Sequence, residues 1–144
     1  MRKILIGLVL IASLGLVSGC AAPAPLPTPT PSVQYDWEWL LASGTDSQGA
    51  WVDGDEGAIR LTINDGQVSG QICNSWGGDI DINGSSVAMT SLFSTKMACD
   101  KPDGIMDRET RFLTDLSLVT TIELVDGRLR LSGGGVEFEF VGSY

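Results

Sequence analysis

The sequence predicts a mainly β domain of the α+β type, a small curved antiparallel sheet or partly open barrel of about seven to eight strands with one covering α-helix. The first observation behind this prediction is a set of three turn dipeptides between alternating apolar runs: Asp65-Gly66, Asn83-Gly84 and Asp126-Gly127. Asn-Gly and Asp-Gly favour the two positive φ values of a type I′ turn, so each predicts a hairpin. The second is a single segment with helical periodicity between the last two of these turns.

Alternating patterns predict the first and last strands of the domain. The stretch YDWEWLLAS places Tyr35, Trp37 and Trp39 on one strand face. If these rings are buried, they form the start of the core, and this is the interpretation that we favour. If they are exposed, the same face would suit sugar or peptide binding. VEFEF, residues 136–140, alternates apolar and acidic side chains and predicts a half-buried strand with an acidic outer face.

The helical segment is PDGIMDRETRFLTDLSLV. It places Ile105, Phe112, Leu113 and Leu116 on one apolar stripe. We expect this helix to cover an open end or edge of the curved sheet, because an uncovered edge invites pairing with other chains.

The N-terminus predicts export and lipid attachment. Residues 1–19 combine Arg2 and Lys3 with an apolar run that is too short for a permanent membrane span of about 20 residues, so they predict a signal peptide. The VSGC that ends at Cys20 resembles the lipobox of bacterial lipoproteins, which implies lipidation of the Cys20 thiol. The predicted location is the extracytoplasmic cell envelope, lipid-anchored in the outer membrane or on the outer face of a single membrane.

Residues 20–34 hold the predicted lipidated cysteine and a proline-rich linker, and residues 35–144 form the predicted globular domain. The segment AAPAPLPTPTPSVQ has five prolines and no charged residue, so it predicts an extended stalk and not a folded element. At about 3.1 Å per residue in polyproline II, fourteen residues would span roughly 40 Å.

Two cysteines remain besides Cys20, and an oxidising compartment favours their pairing as a disulfide between Cys73 and Cys99. A catalytic redox pair is the weaker alternative, because such pairs use a C-x-x-C spacing. Without Arg2 and Lys3, the chain carries 7 basic against 18 acidic residues, a formal charge of −11. This charge argues against nucleic acid and direct docking on anionic lipid; a basic partner is possible on charge alone.

The chain carries no complete catalytic or metal-binding motif. It contains no histidine, the commonest general base and zinc ligand, so we predict a non-enzyme without cofactor or metal. DIDING, residues 79–84, matches the start of a calcium loop, but its twelfth position falls on Thr90 instead of the bidentate glutamate. The acidic residues Asp53–Glu56 are a second weak metal candidate. A hairpin at 79–84 and a solvated loop at 53–56 are the favoured interpretations.

The central part of the chain carries a family resemblance. Gln71–Leu116 resembles the signature of the META/HslJ domain family, with a C-N strand end, a hairpin, STKMAC at Ser94–Cys99 and a helix. Trp39–Leu41 resembles the opening W-x-L of that family, and the closing hairpin also matches. The resemblance implies a small β-rich domain curved around one helix, a disulfide between the cysteines at 73 and 99 in exported members, and association with envelope stress. It supplies no catalytic residues.

Two hypotheses for function follow. The first is a non-catalytic binding or assembly module of the envelope. It would dock a partner protein or an apolar segment in the cleft between sheet and helix, in an apolar groove near Trp76, Phe93 and Met97. Trp76, which is followed by Gly77, and Trp51, two residues after Gly49, are both predicted to lie in loops. The alternative is an acidic inhibitor of a cationic, lysozyme-like secreted hydrolase, acting through a loop such as Asp53–Glu56.

Overall fold

The computed structural model describes residues 35–51 and 59–143 of the chain. Within these ranges the polypeptide forms nine strands and one helix. In chain order they are β1 (Glu38–Asp46), β2 (Gly49–Trp51), β3 (Arg60–Asn64), β4 (Gln67–Gln71), β5 (Ser75–Asn83), β6 (Ser86–Ser94), α1 (Ile105–Leu116), β7 (Thr121–Val125), β8 (Arg128–Gly133) and β9 (Val136–Gly142).

The strands form an antiparallel barrel. From β3 to β9 each strand pairs with the next along the chain, and β1 pairs with both β3 and β9. Eight strands therefore close on themselves, and β2 is an extra strand in a hairpin with β1. The predicted mainly β fold with one helix is confirmed. The barrel is closed and not partly open, because β9 returns to β1 and leaves no free edge between them.

All three predicted hairpins form, joining β3 to β4, β5 to β6 and β7 to β8. At Asp65-Gly66 φ is 46° and 75°, and at Asp126-Gly127 it is 51° and 76°, as type I′ turns require. In the second hairpin Asn83 pairs with Ser86, so the loop is Gly84-Ser85, one residue later than predicted. Only Gly84 has a positive φ there, which suits a turn with glycine at its first central position.

The core fills the barrel interior. Tyr35 and Trp39 are buried, as predicted for the first strand, but Trp37 is 52% exposed. Trp37 precedes β1 at the mouth of the barrel, where its Nε1 donates to the Ser143 carbonyl over 3.0 Å. The largest fully buried side chains are Phe112, Phe138, Phe140, Leu41, Ile59, Leu61, Ile63, Leu116, Ile122, Leu129, Leu131 and Val68.

The helix packs its predicted stripe onto the barrel. The Phe112 ring lies 5.6 Å from that of Trp76 and 5.3 Å from that of Phe138, between centroids. Ile105 and Leu116 are also buried, and Leu113 packs against the core. Two acidic residues, Glu109 and Asp115, share the buried face. In the described part of the chain, no helix has the length and apolar character to cross a membrane.

Strand register defines two ends of the barrel. At one end, called the entry end, Tyr35 leads into β1, and Trp39 pairs with Gly142. The turns at 65–66 and 84–85 lie at this end, because β1, β3 and the strands that follow alternate in direction. At the other end, called the helix end, β1 finishes at Asp46, the β4–β5 link turns, and α1 packs. The chain therefore enters the domain on the side opposite the helix.

Candidate functional site

A buried asparagine organises the helix end. Asn74, 1% exposed, lies in the link between β4 and β5. Its Oδ1 accepts hydrogen bonds from the Met97 N–H over 2.6 Å and from the Thr95 hydroxyl over 3.0 Å. The segment after β6 is thereby tied to the β4–β5 link by side-chain hydrogen bonds, which add to the backbone hydrogen bond from the Thr95 N–H to the Ser75 carbonyl over 2.9 Å.

Glu109 joins the helix to the same place. This buried carboxylate accepts from the Cys73 N–H over 3.1 Å, from the Asn74 N–H over 2.6 Å, and from Asn74 Nδ2 over 3.0 Å. A charged group is stable in a protein interior only when hydrogen bonds or a countercharge compensate for lost water. Here three N–H groups supply that compensation, so β4, β5 and α1 meet at one fixed junction.

A disulfide completes the junction. Cys73 and Cys99 are 26 residues apart and joined through their sulfurs, with 6.1 Å between their Cα atoms, as the cysteine count predicts. The bond encloses β5 and β6 and holds the segment before α1 against the β4–β5 link. Cys73, Asn74, Cys99 and Glu109 are called the corner from here on.

Three exposed apolar side chains lie at the helix end, and the residues of two of them contact Cys73 of the corner. Phe93 is 63% exposed, Met97 58% and Met106 39%. The Met106 sulfur lies 3.5 Å from the Cys73 sulfur, and the Met97 carbonyl oxygen lies 3.7 Å from it. Phe93 is the partner of Gly77 at the helix end of β5. Phe93, Met97 and Met106 are called the apolar patch.

A β-bulge turns Phe93 outward. Val87 and Met89 point into the barrel, and simple alternation would place residues 91 and 93 inside as well. Between the pairs Asp79–Thr90 and Gly77–Phe93, however, β6 has one residue more than β5. Ser91, with φ of 55°, begins this bulge. The extra residue reverses the alternation, so Phe93 lies on the outer face.

The structure corrects the prediction for Trp76. It lies within β5 and not in a loop, and it is 2% exposed. Its ring crosses Gly70, where an added Cβ would lie 2.5 Å from Trp76 Cζ2. Gly70, on the paired strand β4, is therefore needed for close packing of the ring, and Trp76 belongs to the core, where Phe112 of the helix packs against it. Of the three predicted binding residues, Phe93 and Met97 are at the surface.

Other predicted sites are less informative. Asp53–Glu56 lie outside the described residues, and so does the side chain of Trp51. The calcium candidates Asp79 and Asp81 are on the exposed face of β5, where Gln67 Nε2 donates to Asp79 Oδ1 over 2.8 Å. This hydrogen bond lowers the pKa of Asp79. In the described ranges, no group of three or more histidine, cysteine, aspartate or glutamate side chains could hold a metal ion.

A separate cavity of about 570 Å³ lies between the β1–β2 hairpin and α1. Arg111 lines this cavity. Its Nε donates to Asp46 Oδ2 over 2.6 Å, and its Nη2 donates to the Gly49 carbonyl over 3.1 Å. The hydrogen bonds from Arg111 hold the pKa of Asp46 well below its ordinary value, although burial acts in the opposite direction. The lining residues are Gln48, Ala50, Asp107, Arg108, Thr110, Arg111, Thr114 and Asp115.

Sequence reasoning missed several residues of the site. Asn74 and Glu109 were not recognised as a buried pair, and Met106 was not recognised as part of a surface patch. A signal for Glu109 is present, since it falls on the apolar stripe between Ile105 and Phe112. A carboxylate on the buried stripe of a helix predicts a polar partner beneath it.

Comparisons with known proteins agree with this architecture. Residues 32–143 match the META domain. No curated protein matches the chain. A protein from Burkholderia xenovorans, solved by NMR, has a similar fold, with a TM-score of 0.59 and 21% identity over 87% of this chain and 97% of that one.

A second solved structure is a crystal structure of a DUF4847 family protein from Bacteroides vulgatus. It is similar with a TM-score of 0.55 and 14% identity, over 76% of this chain and 94% of that one. At these identities the two structures support the fold alone. The family match spans the barrel, the corner and the helix, and the chain therefore belongs to the META domain family.

Proposed function

We propose that this protein is a lipid-anchored envelope lipoprotein whose META domain is a non-catalytic binding module, docking an apolar segment of an envelope protein partner. The observation that carries the proposal is the apolar patch, three large exposed side chains at the helix end, two of which belong to residues that contact Cys73 of the corner. Its biological setting is envelope maintenance or stress, in keeping with the resemblance to the META/HslJ proteins.

The patch has the properties of a docking surface. Exposed apolar side chains gathered in one place gain stability when a partner covers them. Phe93 offers an aromatic ring, the kind of side chain that often contributes most to binding. Met97 and Met106 offer flexible thioethers, which adapt to differently shaped apolar surfaces. The corner beneath them is fixed, so little order has to be gained on binding.

The position of the patch suits a tethered protein. Residues 20–34, which connect the predicted lipid anchor at Cys20 to the domain, lie outside the described residues. They join the barrel at the entry end, through Tyr35, whereas the patch is at the helix end. Attachment through the entry end leaves the helix end, which carries the patch, free of the connection to the anchor. The patch is then available to partners in the surrounding compartment.

The negative charge of the protein further limits the kinds of partner that it would bind. The formal charge of −11 after removal of residues 1–19 disfavours acidic partners and nucleic acid. We therefore expect a neutral or basic protein with an exposed apolar segment. A contact made by Phe93, Met97 and Met106 should survive high salt, because burial of apolar surface is not screened by ions.

The anchor is tested by cell fractionation. The intact protein should sediment with membranes and incorporate radiolabelled palmitate. The Cys20→Ser variant should do neither, because the substituted position no longer offers a thiol for lipidation. Membrane association of Cys20→Ser at the level of the intact protein would reject the anchor.

The binding module is tested by photocrosslinking in cells. A photoreactive amino acid at position 93 should form a defined adduct with one partner protein. The same amino acid at Ala88, also exposed but near the opposite end of β6, is the matched control and should give little adduct. Equal adducts from both positions would reject the apolar patch as the docking surface. An adduct with a cationic hydrolase that is lost at high salt would support the inhibitor instead.

A further inference from the structure

Two methionines of the domain contact the disulfide at the corner. The chain has four methionines, of which Met1 is in the predicted signal peptide, so three belong to the domain. The Met106 sulfur touches the disulfide at 3.5 Å, and the Met97 backbone touches it through its carbonyl oxygen. The third methionine, Met89, points into the barrel from β6.

The three methionines differ in how much of each residue is exposed to solvent. Met97 is 58% exposed and Met106 is 39% exposed, whereas Met89 is 9% exposed and packs in the core. A dissolved oxidant must reach the sulfur atom to react with it. The side chains of Met97 and Met106 are thus far more exposed to a dissolved oxidant than that of Met89, which the barrel covers.

We propose that Met97 and Met106 are an oxidation-sensitive modification site that switches the apolar patch to a polar state. The oxidant is a peroxide. The thioether sulfur attacks one oxygen of hydrogen peroxide and the O–O bond breaks. The transferred oxygen gives its proton to the departing hydroxide, which leaves as water, and methionine becomes the sulfoxide. The sulfur loses two electrons and the peroxide gains them. Enzymatic reduction of the sulfoxide reverses the change.

The consequence follows from the composition of the patch. Two of its three side chains are methionines, and each sulfoxide replaces an apolar sulfur by a strong hydrogen-bond acceptor. An apolar partner segment would have to desolvate this acceptor on docking. Oxidation should therefore release the partner. This regulatory step rests on the proposed function, whereas the selective chemistry at Met97 and Met106 does not.

The test uses the soluble chain without residues 1–20, which retains the closed barrel, the core and the helix. After graded treatment with hydrogen peroxide, peptide mass spectrometry should show one added oxygen at Met97 and at Met106 about tenfold faster than at Met89. The oxidised protein should also elute earlier from a hydrophobic-interaction column. Equal rates at all three methionines would overturn the proposal, as would an unchanged elution time.

The matched variant is Met97→Leu together with Met106→Leu, which keeps volume and apolar character but cannot be oxidised. Its elution time should not change after peroxide treatment. In cells, peroxide should reduce the adduct from position 93 in the wild type about tenfold and leave it unchanged in the variant. Loss of the adduct in both proteins would reject the switch. If the untreated wild type forms no adduct, the proposed docking function is rejected. The oxidation rates and elution times still test whether Met97 and Met106 are a modification site.

Discussion

At the scale of single residues, Asn74 and Glu109 explain how an irregular segment is held without strand pairing. Two of their hydrogen bonds come from backbone N–H groups of the β4–β5 link and two from groups of the segment after β6, and a further one joins the two side chains to each other. The sequence places Asn74 beside Cys73 and Glu109 on an apolar stripe. It could not predict their contact, because the two residues are 35 positions apart and meet only when the barrel closes.

Replacement of Glu109 by alanine should destabilise the fold by about 3 kcal/mol or more, since it leaves the amide groups of Cys73 and Asn74 without their acceptor. Thr110→Ala, at an exposed position on the same helix, should change the unfolding free energy by less than about 0.5 kcal/mol. Chemical denaturation of the soluble chain measures both. Similar losses in the two variants would show that the buried carboxylate is dispensable.

Asp46 should make stability depend on pH. Because the hydrogen bonds from Arg111 lower its pKa in the folded state, Asp46 stabilises the fold fully above the unfolded pKa of about 4. This contribution is lost as the pH falls toward the lower, folded pKa. We expect the unfolding free energy of the wild type to fall below about pH 4 more steeply than that of Asp46→Asn. Parallel curves from denaturant titrations between about pH 7 and pH 2 would contradict this role.

At the scale of elements, the structure confirms the predictions that depend on residues close together in the sequence. The turn dipeptides and the helical stripe were predictable because each depends on neighbouring residues. The bulge at Ser91 was not, since it depends on how β6 passes Gly78 on β5. An added Cβ at Gly78 would lie 2.8 Å from Leu92 Cδ2, so the glycine makes room for the bulged strand. The loop placement of Trp76 was wrong for a related reason: its glycines allow close packing inside strands.

Gly70→Ala tests the close passage of Trp76 over β4. The new methyl group would meet the Arg60 carbonyl oxygen and the Trp76 ring, so either the strand or the ring must move. We expect a loss of about 3 kcal/mol and a change in tryptophan fluorescence. Ser69→Ala, at the exposed neighbouring position, should have almost no effect in either measurement. A Gly70→Ala protein with wild-type stability would contradict the packing described for Trp76.

The disulfide belongs to the same scale, because it joins the β4–β5 link to the segment before the helix. Closing a loop of 26 residues should stabilise the domain by about 3.5 kcal/mol. Reduction of the soluble chain should lower its unfolding free energy by this amount, measured by denaturant titration with and without reductant. The double variant Cys73→Ala, Cys99→Ala should be indifferent to reductant. An equally large effect of reductant on that variant would rule out the disulfide as the cause.

At the scale of the whole molecule, the domain is a closed barrel that separates its entry end from a helix end carrying the apolar patch. Composition and hairpins predicted the class of fold. Closure was not predictable, because the pairing of β1 with β9 joins the two ends of the domain sequence. The surface positions of Phe93 and Met97 agree with the expected docking region, whereas Met106 reaches it only through the tertiary contact of its sulfur with Cys73.

The central claim is that the apolar patch binds a partner, and the most direct measurement is the affinity of the soluble domain for the crosslinked partner. Phe93→Ser should weaken binding about tenfold, or roughly 1.4 kcal/mol, because an aromatic contact is lost. Ala88→Ser is the control on the same strand and should bind like the wild type, and both variants should keep wild-type stability to within about 1 kcal/mol. Equal affinities of Phe93→Ser and Ala88→Ser would contradict the account.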